Sequence, residues 1–319
     1  MNLRLFICPV LALLLAPWAF GQQSPTEIPS SSRADILRQI AMCEASIKDA
    51  GSIHANDEVM AKMYSRLASL EVNAARYGES EAAFEHAISL LRRNPGSSEQ
   101  LAEELAVLGW VHVEMGKMRQ AESEELEALK LREGVGDSLE IARSWNSLAA
   151  VYLRWRKYAA ARDFARRAVD EFAVNQRADV VDRVSSQFGL SMALCSMKDC
   201  ASAISLLKEG IGIANATFQP KDFPLGVGYF LLGFAYWQSG NLSEAGRFME
   251  QGTAIMKEQL GWGHPAYLNA LRQYALFLRK SQRPEEAKTV EHEIRQAEAV
   301  VDVHSIQTRA GGDVLAGLR

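Results

Sequence analysis

The residues of this chain that could do chemistry are its six histidines, four cysteines and clustered carboxylates. Their spacing argues against most of the reactions they serve elsewhere. His54, His86, His112, His264, His292 and His304 never fall four apart. No helix can therefore present the paired imidazoles of a metallohydrolase zinc site. Gly210-Ile211-Gly212 lacks the third glycine of a dinucleotide loop and lies inside a helical pattern rather than after a strand. Ser205 and Lys208 have the spacing of an SxxK nucleophile, but no Lys-Thr-Gly partner exists to complete it. Glu122, Glu124, Glu125 and Glu127 read as the solvated face of a helix. Nothing converges on a reacting atom. The expectation is a non-enzyme with no metal and no cofactor.

Two cysteines carry a more specific signal. Cys195 ends one helical stretch and Cys200 opens the next. Flanking a turn on antiparallel helices, they bridge if their Cα atoms approach within about 7 Å. Two small buried thiols are the other reading. Cys43 is left unpaired in either case, and Cys8 falls in the amino-terminal 21 residues described next.

Met1–Gly21 has the layout of a secretory signal peptide. Arg4 supplies the positive start, Leu5–Leu15 the apolar core, and Ala19-Phe20-Gly21 the small residues before a cut at Gln22. A retained anchor would need about 20 unbroken apolar residues, and Pro9 and Pro17 interrupt this run. Residues 22–32, with Pro25 and Pro29, read as a flexible leader, and residues 301–319 as a tail. The chain is thus expected to be exported, to a periplasm or beyond, with no stable membrane span after processing. Its formal net charge of −4 offers no basic excess to condense on phosphate, so nucleic acid is not an expected partner.

The elements that hold these residues are helices. Apolar residues at helical spacing begin near Arg33, where residues 33–50 form a first helix, and continue to about Val300. The pattern repeats. Inter-helix turns align at Ala75, Gly116, Arg156, Lys198, Gly240 and Gln282, spaced 41, 40, 42, 42 and 42 residues apart. Eight residues before the turns stand Leu67, Leu108, Leu148, Leu190, Leu232 and Tyr274. The next position is always small: Ala68, Gly109, Ala149, Ser191, Gly233, Ala275. Five residues after the turns come Ser80, Ala121, Ala161, Ala203, Ala245 and Ala287. Small residues at crossing points let two helices approach to about 8–10 Å. Each pair leaves an apolar face that a neighbouring pair must cover.

Residues Tyr229, Leu232, Gly233, Tyr236, Gly240, Ala245 and Gly252 carry a resemblance, as do Trp145, Leu148, Ala149, Tyr152, Tyr158, Ala161 and Ala168. The pattern resembles the tetratricopeptide repeat (TPR), in the variety with a period near 42 found in kinesin light chains. Leu260 to Pro265 and Trp145 to Ala149 are further marks of that variety. Glu71 and Leu278 depart from it where an aromatic is expected, as does Gln187 at a leading bulky position. The resemblance implies an all-α fold, an α-α superhelix or TPR solenoid of about six repeats spanning residues 59–300. It implies that the first helix of each repeat lines a concave groove for a protein or peptide segment.

On that orientation, four positions per repeat face the groove. They place Phe188, Met192, Phe230, Phe234 and Trp237 on an apolar floor. Trp110 precedes them, and Arg143, Asn146, Asn269, Arg272 and Arg279 flank them. Aromatics rimmed by polar groups mark interaction surfaces, and Trp and Arg often dominate binding energy. Asparagine amides both donate to and accept from a peptide backbone, and similar asparagines hold extended peptides in the kinesin light chain type. The same aromatics also suit a plain core, closed by a neighbouring helix or by the leader. Two other roles fit a repeat array: an accessory subunit of an envelope enzyme or assembly complex, and a self-associating solenoid. The oligomeric state is not encoded in any of these patterns.

Overall fold

A computed structural model describes residues 33–299, apart from His54 and Gly263. The expected signal peptide, leader and tail lie outside the described residues. Thirteen α-helices and no strand occur among those that are described. They fall into two compact units.

The first unit runs to Leu190. It contains α1 (Arg33–Ser52), α2 (Asp57–Asn73), α3 (Tyr77–Leu91), a 3₁₀ turn (Pro95–Ser97), α4 (Ser98–Glu114), α5 (Met118–Val135), α6 (Ser138–Arg154) and α7 (Tyr158–Val174). The division falls within α8 (Val180–Ser196). The second unit contains α9 (Cys200–Asn215), α10 (Phe223–Gln238), α11 (Leu242–Leu260), α12 (Pro265–Lys280) and α13, residues 284–299.

Helices pack in consecutive pairs. In the first unit α2 lies on α3, α4 on α5 and α6 on α7, and α4 also meets α6 one pair along. In the second, α10 lies on α11. All the small residues aligned in the sequence at the crossing points are buried. Phe84, Ile88, Leu101, Leu105 and Leu108 fill the space beside them in the first two pairs. Phe172 and Leu139 do so in the third.

Why the chain turns where it does is visible in the backbone. Each of the six turn positions has positive φ: 57° at Ala75, 76° at Gly116, 63° at Arg156, 77° at Lys198, 87° at Gly240 and 58° at Gln282. In each turn the next amide donates to the carbonyl five residues back. Arg76 N–H reaches Glu71 O at 2.8 Å, Lys117 reaches His112 at 2.8 Å, and Lys157 reaches Tyr152 at 2.9 Å. Asp199 reaches Leu194 at 3.0 Å, Asn241 reaches Tyr236 at 2.9 Å, and Arg283 reaches Leu278 at 2.9 Å. This bond satisfies a carbonyl that the helix end would otherwise leave open. Only two of the six positions are glycine, so four side chains accept the left-handed region at a cost of about 1–2 kcal/mol each. Two of the helices that follow these turns are capped by side chains, Asp199 accepting from Ser202 N and Asn241 from Glu244 N, and at the start of α6 Asp137 accepts from Leu139 N.

Candidate functional site

The expected groove residues belong to the first helix of each pair, and the structure divides them. Within the first unit, Trp110 on α4 is half-buried and meets Tyr77 edge-on at 6.0 Å. Arg143 on α6 is also half-buried. Its Nε and Nη2 donate to Asp182 Oδ1 and Oδ2 at 3.1 and 3.0 Å, and its Nη1 donates to Glu140 Oε1 at 2.6 Å. Burial alone would lower the pKa of Arg143; the carboxylates of Asp182 and Glu140 outweigh it and raise it. Asn146, one helical turn on, is buried, and its Nδ2 donates to Ser185 Oγ at 3.4 Å. Phe188 is fully buried.

Within the second unit, Met192 and Phe230 are buried, at 0 and 1% exposure, and Phe234 is 5% exposed. Trp237 remains half-buried, edge-on to both Phe234 at 5.9 Å and Phe277 at 5.6 Å. On α12, Arg272 is exposed, donating from Nη1 to Asn269 Oδ1 at 2.7 Å and from Nη2 to Glu298 Oε1 at 2.6 Å. Arg279 pairs with Glu291.

The expected aromatic floor is thereby corrected. Phe188, Met192, Phe230 and Phe234 offer no surface to a ligand in this arrangement. The reason is physical: α10 is apolar on nearly every side, from Phe223 to Ala235, and a helix without a polar face gives periodicity nothing to orient it by. The side chains that keep accessible surface are Trp110 and Arg143 in one unit, and Trp237, Asn269, Arg272 and Arg279 in the other.

A second correction concerns the glutamates. Glu122, Glu124, Glu125 and Glu127 do not share a solvated face. Glu125 is fully buried against Gly109, and neither of its oxygens has a hydrogen-bond partner among the described residues. Burial holds its carboxyl well above the usual carboxylate range. Glu124 Oε2 lies 2.6 Å from His112 Nδ1. Glu122 meets Lys157 at 3.3 Å, and Glu127 meets Arg92 at 2.8 Å. At i, i+2, i+3 and i+5, four residues wrap around a helix instead of lining one stripe.

Comparing equivalent positions explains His112. Four residues before the turn and eight after it stand Tyr152 and Phe164 in the third repeat, stacked at 5.5 Å. In the fifth repeat they are Tyr236 and Phe248, stacked at 5.8 Å. In the second they are His112 and Glu124, and an ion pair replaces the stack. A polar rung accompanies it between neighbouring repeats of the first unit. Lys117 Nζ donates to both oxygens of Glu81, at 2.6 and 2.7 Å, and Lys157 occupies the same place toward Glu122. Burial and Glu122 together push the Tyr152 phenol up to about 12. Alignment on the turns puts His112 in the slot of Tyr152 and Tyr236, but local pattern does not show its partners. Lysine one residue past a turn, with glutamate six past the previous one, is the signal that could have found them.

Cys195 and Cys200 are joined by a disulfide, their Cα atoms 4.1 Å apart across the Lys198 turn. Cys43 is free and buried. No cluster of metal-binding side chains occurs among the described residues. A cavity of about 50 Å³ lies beside Glu103, Arg132 and Glu140. No described helix is long and apolar enough to cross a membrane.

Comparison with known proteins fixes the kind of repeat. Tetratricopeptide-repeat family models match residues 59–134 and residues 228–255. Those two stretches are similar to tetratricopeptide repeats. No curated protein matches the sequence. Among solved structures, the TPR fold recurs in the apo form of RapI, with a TM-score of 0.71 at 11% identity, over 85% of this chain and 94% of that one. A Rap protein complexed with Competence and Sporulation Factor matches with a TM-score of 0.56 at 15% identity, over 84% of this chain and 77% of that one. A Podosopora anserina protein described as a kinesin light chain, with nearly identical TPR-like repeats, gives a TM-score of 0.51 at 20% identity, over 65% of this chain and 98% of that one. At these identities the likeness is one of fold.

Proposed function

We propose that this TPR protein is a non-enzymatic, exported scaffold that binds a peptide or protein segment on the first-helix faces of its repeats. The observation that carries the reading is the set of accessible aromatic and amide or guanidinium side chains on those helices: Trp110 with Arg143, and Trp237 with Asn269 and Arg272. Indole and guanidinium groups are the side chains that most often anchor partners. A TPR neighbour of similar fold is a Rap protein complexed with Competence and Sporulation Factor, which supports a ligand on such a scaffold. Export rests on the layout of Met1–Gly21.

Selection of random peptides displayed on phage against the mature chain tests binding. Trp110→Ala and Trp237→Ala, made separately, each should weaken the selected peptides of one unit about tenfold or more, with helical circular dichroism unchanged. Unchanged capture by both folded variants would remove these faces from the site. Mass spectrometry of the chain recovered from its native host tests export. A mature N-terminus at Gln22 is the expected result, and an intact Met1 refutes it.

A further inference from the structure

His112 is 1% exposed, and it is gripped from both sides. Nδ1 lies 2.6 Å from Glu124 Oε2 on α5, and Nε2 lies 2.9 Å from Glu81 Oε1 on α3. Carboxylates only accept hydrogen bonds when ionised, and a neutral imidazole carries one N–H. Both contacts are satisfied together only by the imidazolium. Lys117 Nζ closes the cluster on Glu81, so two positive groups face two negative ones and the charge of the cluster balances. Glu81 and Glu124 are the charges that act on the ring. Glu125, next on α5, packs on Gly109 instead. The 3₁₀ turn and α6, which also touch α4, add no charge acting on the ring among the described residues.

Glu81 belongs to the first repeat, and His112, Lys117 and Glu124 to the second. We propose that these four side chains form a proton-operated latch between the first two repeats, closed while His112 is doubly protonated and opened when it loses one proton. Deprotonation leaves a ring lone pair facing a carboxylate with no donor between them, and one unbalanced negative charge in a buried place. The equivalent slots of the third and fifth repeats hold stacked aromatics, so the latch is confined to this joint among those pairs.

The direction of the pH dependence follows from the shifts. Burial works to lower the His112 pKa, but the two carboxylates outweigh it and raise it above its ordinary 6.5. A raised histidine contributes stability that is complete below 6.5 and lost as pH rises through the folded value. Glu81 is raised by burial but lowered more by Lys117 and His112, and ends below its ordinary 4.5. Its contribution is present above 4.5 and lost as pH falls through the folded value. The latch is therefore complete between 4.5 and 6.5, and it opens on the alkaline side as pH rises through the folded value of His112.

Two measurements on the full mature chain test this. In protein labelled with ¹⁵N-histidine, both ring nitrogens of His112 should show protonated shifts at pH 6 and lose one proton only above 6.5. A neutral ring at pH 6 overturns the proposal. Second, the urea midpoint of the first unit should fall between pH 6 and pH 9. The loss in the unfolding constant should be about tenfold for each unit by which the folded pKa exceeds the unfolded one. His112→Tyr combined with Glu124→Phe installs the pair found in the third and fifth repeats and should flatten that fall. An equal fall in wild type and double variant overturns the latch. Should the double variant not fold, the ¹⁵N titration of the wild-type chain decides alone.

Discussion

The two units use one hairpin to opposite ends. In the second, helices close until backbone meets backbone. A methyl group on Gly252 would sit 2.5 Å from Phe230 N, and one on Gly233 would sit 2.6 Å from Met249 N. In the first, the same kind of crossing is looser and polar. A methyl on Gly109 would come nearest to the Glu125 side chain, at 3.1 Å, and then to the Ala121 carbonyl, at 3.4 Å. Ser80 replaces the small alanine and donates its hydroxyl to Ala68 O at 3.0 Å. Glu71, His112, Glu125, Asn146 and Asp182 are all buried in the first unit. The comparison teaches that the turn and the period set the pairing of helices, while the chemistry of the interior is free to vary. One unit closes by backbone-to-backbone packing, and the other buries more ionisable side chains in its interior.

Gly252→Ala should break the comparison most severely. The added methyl must displace the α10 backbone, and overpacking of this kind costs about 3 kcal/mol. Hydrogen exchange should accelerate in α10 and α11, with protection of α2 to α5 unchanged. Exchange that rises equally in both units would mean that they do not differ in this way.

Glu125→Met is expected to act in the opposite direction. Glu125 stands nine residues past its turn, where Leu207 and Met249 stand in other repeats, and replacing a buried ionisable group with an apolar one of similar volume stabilises by about 1–4 kcal/mol. A carboxyl whose folded pKa is raised contributes stability at low pH that fades as pH rises above 4.5. The variant should therefore gain most at neutral pH, and its urea midpoint should depend less on pH than that of the wild type. His264 in the second unit has the reverse sign to His112. Burial lowers its pKa, so its contribution is present above 6.5 and lost as pH falls.

The smallest effect expected is at a turn. Ala75→Gly relieves a left-handed alanine, and should stabilise by about 0.5 kcal/mol once the added freedom of the unfolded chain is subtracted. Thermal denaturation resolves a shift of a degree or two. A lowered midpoint would show that Ala75 is unstrained at a φ of 57°.

Architecture was legible in the sequence because it is written several times over. One leucine followed by one small residue is weak, but the pair recurs at Leu67-Ala68, Leu108-Gly109, Leu148-Ala149 and Leu232-Gly233 in phase with the turns. Site residues are written once each. Phe230 and Phe234 have the composition of a binding floor and of a core alike, and only packing separates the two. Glu125 has the composition of a surface residue, because local pattern does not register a carboxyl whose pKa burial raises. His112 sat between: its slot was legible from Tyr152 and Tyr236, but Glu81 lies 31 residues away and no local window joins them.

The six turns close through main-chain atoms, an amide one residue past the turn bonded to a carbonyl four residues before it. Side-chain identity at the bend is almost immaterial, as alanine, glycine, arginine, lysine and glutamine all serve there. Such joints are interchangeable. A gene encoding this chain can gain or lose whole units of about 42 residues without redesigning a single corner, so the number of repeats is open to copying and deletion.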